Sequence, residues 1–164
     1  MIDLKMALVK GLEDLKKRQS DSPVSVAEFI EAINRLHLDL KKLISETEIK
    51  EVIQNVPFNF FGKQITVPGM QLIGPNNSVF QVWPVINPSP MNPSATKFIL
   101  IIASNPAMDT SVFPNQYGYD LNKKLWFAPV GAVFIGTAPS FYEHEIISEK
   151  LQKAAVFVFT GQQI

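Results

Sequence analysis

The chain has 164 residues, the size of one domain with room for a sizeable core, and its 15 basic and 15 acidic residues cancel to a net charge of zero. No overall positive field draws it to polyanions, so neither nucleic acid nor a membrane is expected as a partner. The lack of cysteine excludes disulfides, zinc-thiolate sites, iron–sulfur clusters and thiol nucleophiles.

The first stretch, MIDLKMALVKGLEDLKKRQS, carries charge throughout. It therefore lacks the unbroken apolar core of a secretory signal, and its acidic residues are unlike an organelle transit peptide. The longest apolar run, 98-FILIIA-103, falls far short of the roughly 20 residues that cross a bilayer. A soluble, cytoplasmic protein is expected.

Charge and proline divide the chain in the same place. Residues 1–55 hold nine Lys/Arg and ten Asp/Glu, while residues 56–164 hold six and five. Only Pro23 precedes Pro57, and the other eleven prolines run from Pro57 to Pro139. This predicts a helical N-terminal segment, 1–55, and a β-rich domain with a C-terminal helix, 56–164, with helix giving way at about Val56.

In the first segment Leu4, Leu8, Leu12 and Leu15 recur at three- and four-residue spacing, one stripe of a helix that should end near Gln19. A polar link, 19-QSDSP-23, leads to 24-VSVAEF-29, where Ser25 and Glu28 have capping-box spacing and Val24 and Phe29 staple spacing. The stripe of this second helix continues through Ile30, Ile33, Leu36, Leu40 and Leu43, with His37 at its border. A further capping box at 45-SETE-48 allows a restart before Pro57.

The second segment reads as short strands. A hairpin is predicted in 56-VPFNFFGKQITVPG-69 with Gly62-Lys63 at its tip, then a turn at 74-GPNN-77 and a strand 78-SVFQVWPVI-86. The proline-dense 87–96 is predicted as loop, and 97-KFILIIA-103 as a central strand covered on both faces, because it shows no alternation. Residues 104–116 are irregular, and Asn122-Lys123 forms a turn between two strands, the second bulged near Pro129 and Gly131. A helix beginning in 139-PSFYEHEI-146 and an interior strand 155-AVFVFTG-161, which a parallel pairing with 97–103 would also accommodate, close the chain. The fold class expected is α+β: N-terminal amphipathic helices, then a mainly antiparallel sheet, with one C-terminal helix before the last strand.

Motifs for phosphate loops, nucleophile elbows, metalloprotease helices and calcium loops are absent. With only His37 and His144 as imidazoles, no metal site and no cofactor are expected. His144 stands between Glu143 and Glu145, but Ser140 and Glu143 have capping-box spacing, so the predicted role of this stretch is helix initiation. A catalytic role would make His144 a general base oriented by Glu143 or Glu145, with Asp109 or Asp120 as the loop acid of a small hydrolase. Neighbouring residues on a helix point apart, which makes that orientation poor.

Trp83, Tyr117, Tyr119 and Trp126 flank Asn- and Pro-rich loops, where such rings can stack on sugars or anchor a protein; core packing is the competing reading. Across 56–142 only Lys63, Lys97, Asp109, Asp120, Lys123 and Lys124 are charged. So little charge is expected where neighbouring subunits cover the surface. The first functional expectation is therefore a non-enzymatic assembly or protein-interaction module that self-associates or binds a protein partner. The alternatives are a domain with an aromatic-lined pocket for a sugar or apolar ligand, and the His144 hydrolase.

Overall fold

The computed structural model describes residues 3–60, 63–86, 97–111, 114–128 and 140–164, without the side chains of Leu15, residues 17–25, Phe60 and Lys63. Its elements are helix α1 (Leu4–Ile44), strands β1 (Lys50–Phe60), β2 (Lys63–Ile73), β3 (Val79–Ile86), β4 (Lys97–Ser104), β5 (Gln116–Asp120), β6 (Leu125–Phe127) and β7 (Phe141–Tyr142), and helix α2 (His144–Thr160). The strands form one seven-stranded antiparallel sheet in sequence order. This is the α+β class that the patterning implies.

The N-terminal segment is one helix of 41 residues, not two. Asp3 caps its start, its carboxylate accepting from the backbone N–H groups of Lys5 and Met6 at 3.1 and 3.3 Å. The expected link 19-QSDSP-23 is helical. It contains no glycine to end a helix, and Pro23 withdraws only one backbone donor. Lys41 and Lys42 in the last turn suit the negative end of the helix dipole. The SETE box starts no helix: Ser45 is the C-cap, Glu46 takes a left-handed φ of 64°, and Thr47 donates through its hydroxyl to the Ile44 carbonyl. Strand β1 follows at Lys50, ahead of the expected change near Val56.

The predicted hairpin is present, but its register pairs Phe60 with Lys63. The two-residue loop is therefore 61–62, one position before the expected tip, and lies outside the described residues. Three prolines fall within the strands. Pro57 is on β1, the outer edge of the sheet. Pro68 and Pro84 lie beyond the Met70–Ile73 and Val79–Val82 stretch over which β2 and β3 pair. Asn76 and Asn77 make the turn before β3 with φ of 59° and 60°, which asparagine tolerates better than most residues.

Strand β4 is the middle strand of seven, as its apolar run implies. Its burial nevertheless alternates: Lys97, Ile99 and Ile101 are buried, while Ile102 is exposed. Both faces are apolar in sequence, but α1 and α2 cover only one. On that face Met70, Leu72, Phe80, Val82, Ile99, Ile101, Tyr117, Tyr119 and Trp126 meet Phe29, Ile33, Leu36 and Leu40 of α1 and Ile147, Leu151 and Val158 of α2. The outer face carries a row in register across five strands, Val85, Phe98, Gly118, Phe127 and Phe141. The Phe127 ring lies over Gly118, with ring centroids of Phe98 and Phe141 at 6.3 and 5.9 Å.

The expected last strand, 155–161, is the end of α2. Its β-branched and aromatic residues favour strand locally, but Leu151, Ala155 and Val158 recur at helical spacing on the buried face, and packing overrides propensity. Gly161 closes the helix in the left-handed conformation (φ 76°), its N–H donating to the Phe157 carbonyl at 2.7 Å. The loop 87–96 and the bulge near Pro129 and Gly131 lie outside the described residues. No described helix is long and apolar enough to cross a membrane.

Gly69 is required by Trp83. A Cβ there would stand 2.8 Å from the indole Cε3 and Cζ3 and 3.2 Å from Val56 Cγ2. Gly69→Ala is expected to destabilise the sheet by about 1–3 kcal/mol through overpacking, read as a lower urea midpoint.

Candidate functional site

The most polar constellation forms where α1 and α2 run side by side. Asp39 projects from α1 at the border of the stripe, between buried Leu36 and Leu40, and meets the first turns of α2. Its Oδ2 accepts from Ser148 Oγ at 2.6 Å and contacts His144 Nε2 at 2.8 Å. Gln152 Nε2 donates to Ser148 Oγ at 3.0 Å, extending the chain of bonds along α2. The cleft around them, about 630 Å³, is open and is also lined by Arg35, Leu38, Val156 and Ile164.

Partial burial acts to raise the Asp39 carboxyl, but the hydrogen bonds from Ser148 and His144 outweigh it and hold the group below the usual aspartate range. The bond to Asp39 calls for a proton on Nε2 of His144, while its Nδ1 is buried with no partner among the described residues. In a serine–histidine–aspartate relay the imidazole stands between hydroxyl and carboxylate and takes the serine proton. Here the carboxylate stands between the other two, and the Ser148 proton goes to Asp39. The arrangement is a latch between two helices, with no activated nucleophile.

Other residues singled out in the sequence lie elsewhere. Helix α2 begins at His144 with Glu143 as N-cap and no side-chain capping bond, so the Ser140–Glu143 box does not form. The short strand Phe141–Tyr142 occupies the residues that the box needed as first turn. Glu145 is exposed and lies 3.8 Å from Arg35, an ion pair of small consequence. Asp109 accepts from the N–H and hydroxyl of Ser111 at 3.1 and 2.8 Å, which draws its carboxyl down. Asp120 accepts from the N–H groups of Asn122 and Lys123 at 2.9 and 3.0 Å. Both carboxylates shape local turns, and neither lines the Asp39 cleft.

Tyr117, Tyr119 and Trp126 are buried core rings. Tyr119 packs on Trp126 at 4.9 Å between centroids, and Phe29 of α1 lies 6.3 Å from each. Burial pushes the Tyr117 hydroxyl up to about 12. The alternation with Gly118 does put both tyrosines on one face, and it is the face beneath the helices. Trp83 lies on the outer face, paired across strands with Leu100 and set over Gly69. Among the described residues no cluster of His, Asp and Glu has the makings of a metal site.

Sequence reasoning missed Asp39. Its signal was a carboxylate flanked by the stripe residues Leu36 and Leu40, a position where a charge needs a partner from the packed neighbour. The partner lies 105 residues away. No family model, curated protein or solved structure matches this chain.

His37 and Asp39 give stability two separate pH dependences. Burial holds the His37 imidazole at about 4, below the 6.5 of an exposed histidine. Its contribution is complete above about pH 6.5 and lost as pH falls toward 4, with about 2 kcal/mol gone by pH 5. His37→Leu should flatten the change in urea midpoint between pH 7 and 5. The depressed Asp39 carboxyl contributes above the aspartate range and loses its effect only as pH falls through its lower folded value. Asp39→Ala should cost about 1–3 kcal/mol at pH 7 by stripping Ser148 and His144 of their acceptor, whereas Ser140→Ala should be silent.

Proposed function

We propose that this chain is a non-enzymatic assembly module that associates through the N-terminal half of α1. One observation carries the reading. Residues 3–14 are all exposed, including Leu4 at 78%, Leu8 at 62% and Leu12 at 50% relative exposure, with Met6 and Val9 beside them. Burial on this helix begins, among described side chains, at Val26. The twelve residues 3–14 span about 18 Å, and a helix of that size is marginal in water unless its apolar face is packed. A partner that covers the leucines supplies what the chain's own core does not.

The hydrogen bonds at Asp39 lend the hydrolase reading no support, because they occupy Ser148 and His144 in joining the helices. The burial of Tyr117, Tyr119 and Trp126 leaves Trp83 as the one aromatic candidate outside the helix-covered core. A chain without cysteine is compatible with a cytoplasmic setting for the association.

Light scattering on the intact protein should give a mass above the 18.3 kDa of one chain. Leu8→Glu combined with Leu12→Glu should return it to that mass without lowering the unfolding midpoint of the body. A wild-type protein that scatters as a single chain over a full dilution series would defeat the proposal.

A further inference from the structure

Arg35 lines a second cavity besides the Asp39 cleft, one of about 240 Å³ between α1 and the β5–β6 turn. Glu28, Glu31, Ala32 and Arg35 form its wall on α1, and Tyr119 of β5 and Lys124 of the turn close it from the sheet side. At about 100° per residue, Glu28, Glu31 and Arg35 fall within about 60° of one another around the helix, so the three charges share a face. Lys124 is placed by its turn. Its φ is 56°, its N–H donates to the Asp120 carbonyl at 2.8 Å, and the Asp120 carboxylate holds the N–H groups of the two residues before it.

Two features set this cavity apart from an ordinary charged surface. The first is Tyr119, which is only 8% exposed and has its ring packed against Phe29 and Trp126. Its hydroxyl nevertheless has no hydrogen-bond partner among the described residues. Burial, and then the Glu28 charge, hold that hydroxyl above the usual tyrosine range, while Arg35 draws it down and Glu31 adds to the rise. It is thus a neutral group at neutral pH, able to donate and to accept, with the charges of α1 around it.

The second feature is how those charges are arranged. Among the described residues Glu28 and Glu31 form no ion pair with Arg35 or Lys124, and Arg35 meets Glu145 outside the cavity at 3.8 Å. Two carboxylates and two cations cancel, so a simple anion or a simple cation gains from one pair and is repelled by the other. A molecule that carries both signs satisfies both pairs.

We propose that this cavity binds a small zwitterion of the amino-acid class, its ammonium towards Glu28 and Glu31 and its carboxylate towards Lys124 and Arg35, with the Tyr119 hydroxyl between them. The volume lies below the roughly 300–1,000 Å³ of drug-sized pockets, which suits a free amino acid better than a peptide. The site uses none of the exposed leucines at the start of α1 and stands independently of the assembly reading above.

Nuclear magnetic resonance titration of the intact protein with glycine, β-alanine and 4-aminobutyrate tests this at the backbone amides of Tyr119 and Lys124. Sodium acetate and ethylammonium chloride at matched ionic strength serve as single-charge controls. At least one of the three amino acids should give saturable shifts, with an affinity about tenfold or more above both controls. Glu31→Gln and Lys124→Gln, both at exposed positions, should each weaken that binding about tenfold and leave the unfolding midpoint unchanged. Tyr119→Phe keeps the ring and should weaken binding severalfold. Failure of all three amino acids to saturate overturns the proposal, as does equal affinity for acetate or ethylammonium, or wild-type binding by Lys124→Gln or Tyr119→Phe.

Discussion

Everything in this molecule depends on one helix being longer than the sheet that covers it. The stripe of α1 packs through Phe29, Ile33, Leu36 and Leu40 onto the inner face of the sheet, and these side chains are almost wholly buried. Burial of each large apolar side chain contributes about 1.5–3 kcal/mol, so this half of the helix is held by its tertiary contacts. Residues 4–14 of the same helix carry the same kind of stripe, and there it is exposed. The difference between core and candidate interface is only where the sheet stops.

Alongside that apolar packing, the polar groups between the helices fix how α2 lies on α1. A carboxylate at a helix–helix border must be hydrogen-bonded or it opposes burial. Asp39 meets the requirement with two donors from α2, and Gln152 in turn satisfies Ser148. These bonds tie residues more than 100 apart in sequence and constrain the slide of one helix along the other. His37, two residues before Asp39, is buried with its Nε2 unpartnered among the described residues, and holding it neutral is what makes stability depend on mildly acidic pH.

Periodicity made the element types readable, and tertiary context decided their limits. The 3.6-residue stripe revealed α1, and the turn signals at Gly74 and Asn122 located strand ends. Local capping rules misplaced three helix boundaries, at Ser25, Ser45 and Ser140. A serine three residues before a glutamate is permissive, and nothing local reveals that a helix runs through it or that a strand needs its neighbours. The apolar run in β4 showed its central position, but one covered face and one aromatic outer face look alike in sequence. The Asp39–His144 contact was illegible because no local pattern links position 39 to position 144.

The outer face of the sheet shows why a low charge density need not mean an interface. The row Val85, Phe98, Gly118, Phe127 and Phe141 accounts for part of the charge-poor stretch by packing on itself, with Phe127 filling the space above Gly118. Rings laid over glycines shield backbone and lock neighbouring strands in register, a role that needs no partner molecule. The same composition that suggested subunit contact in the β region is thus partly absorbed by the sheet. Leu4, Leu8 and Leu12 of α1 have no such use among the described residues, and for that reason the case for association moves from the β half to the start of α1.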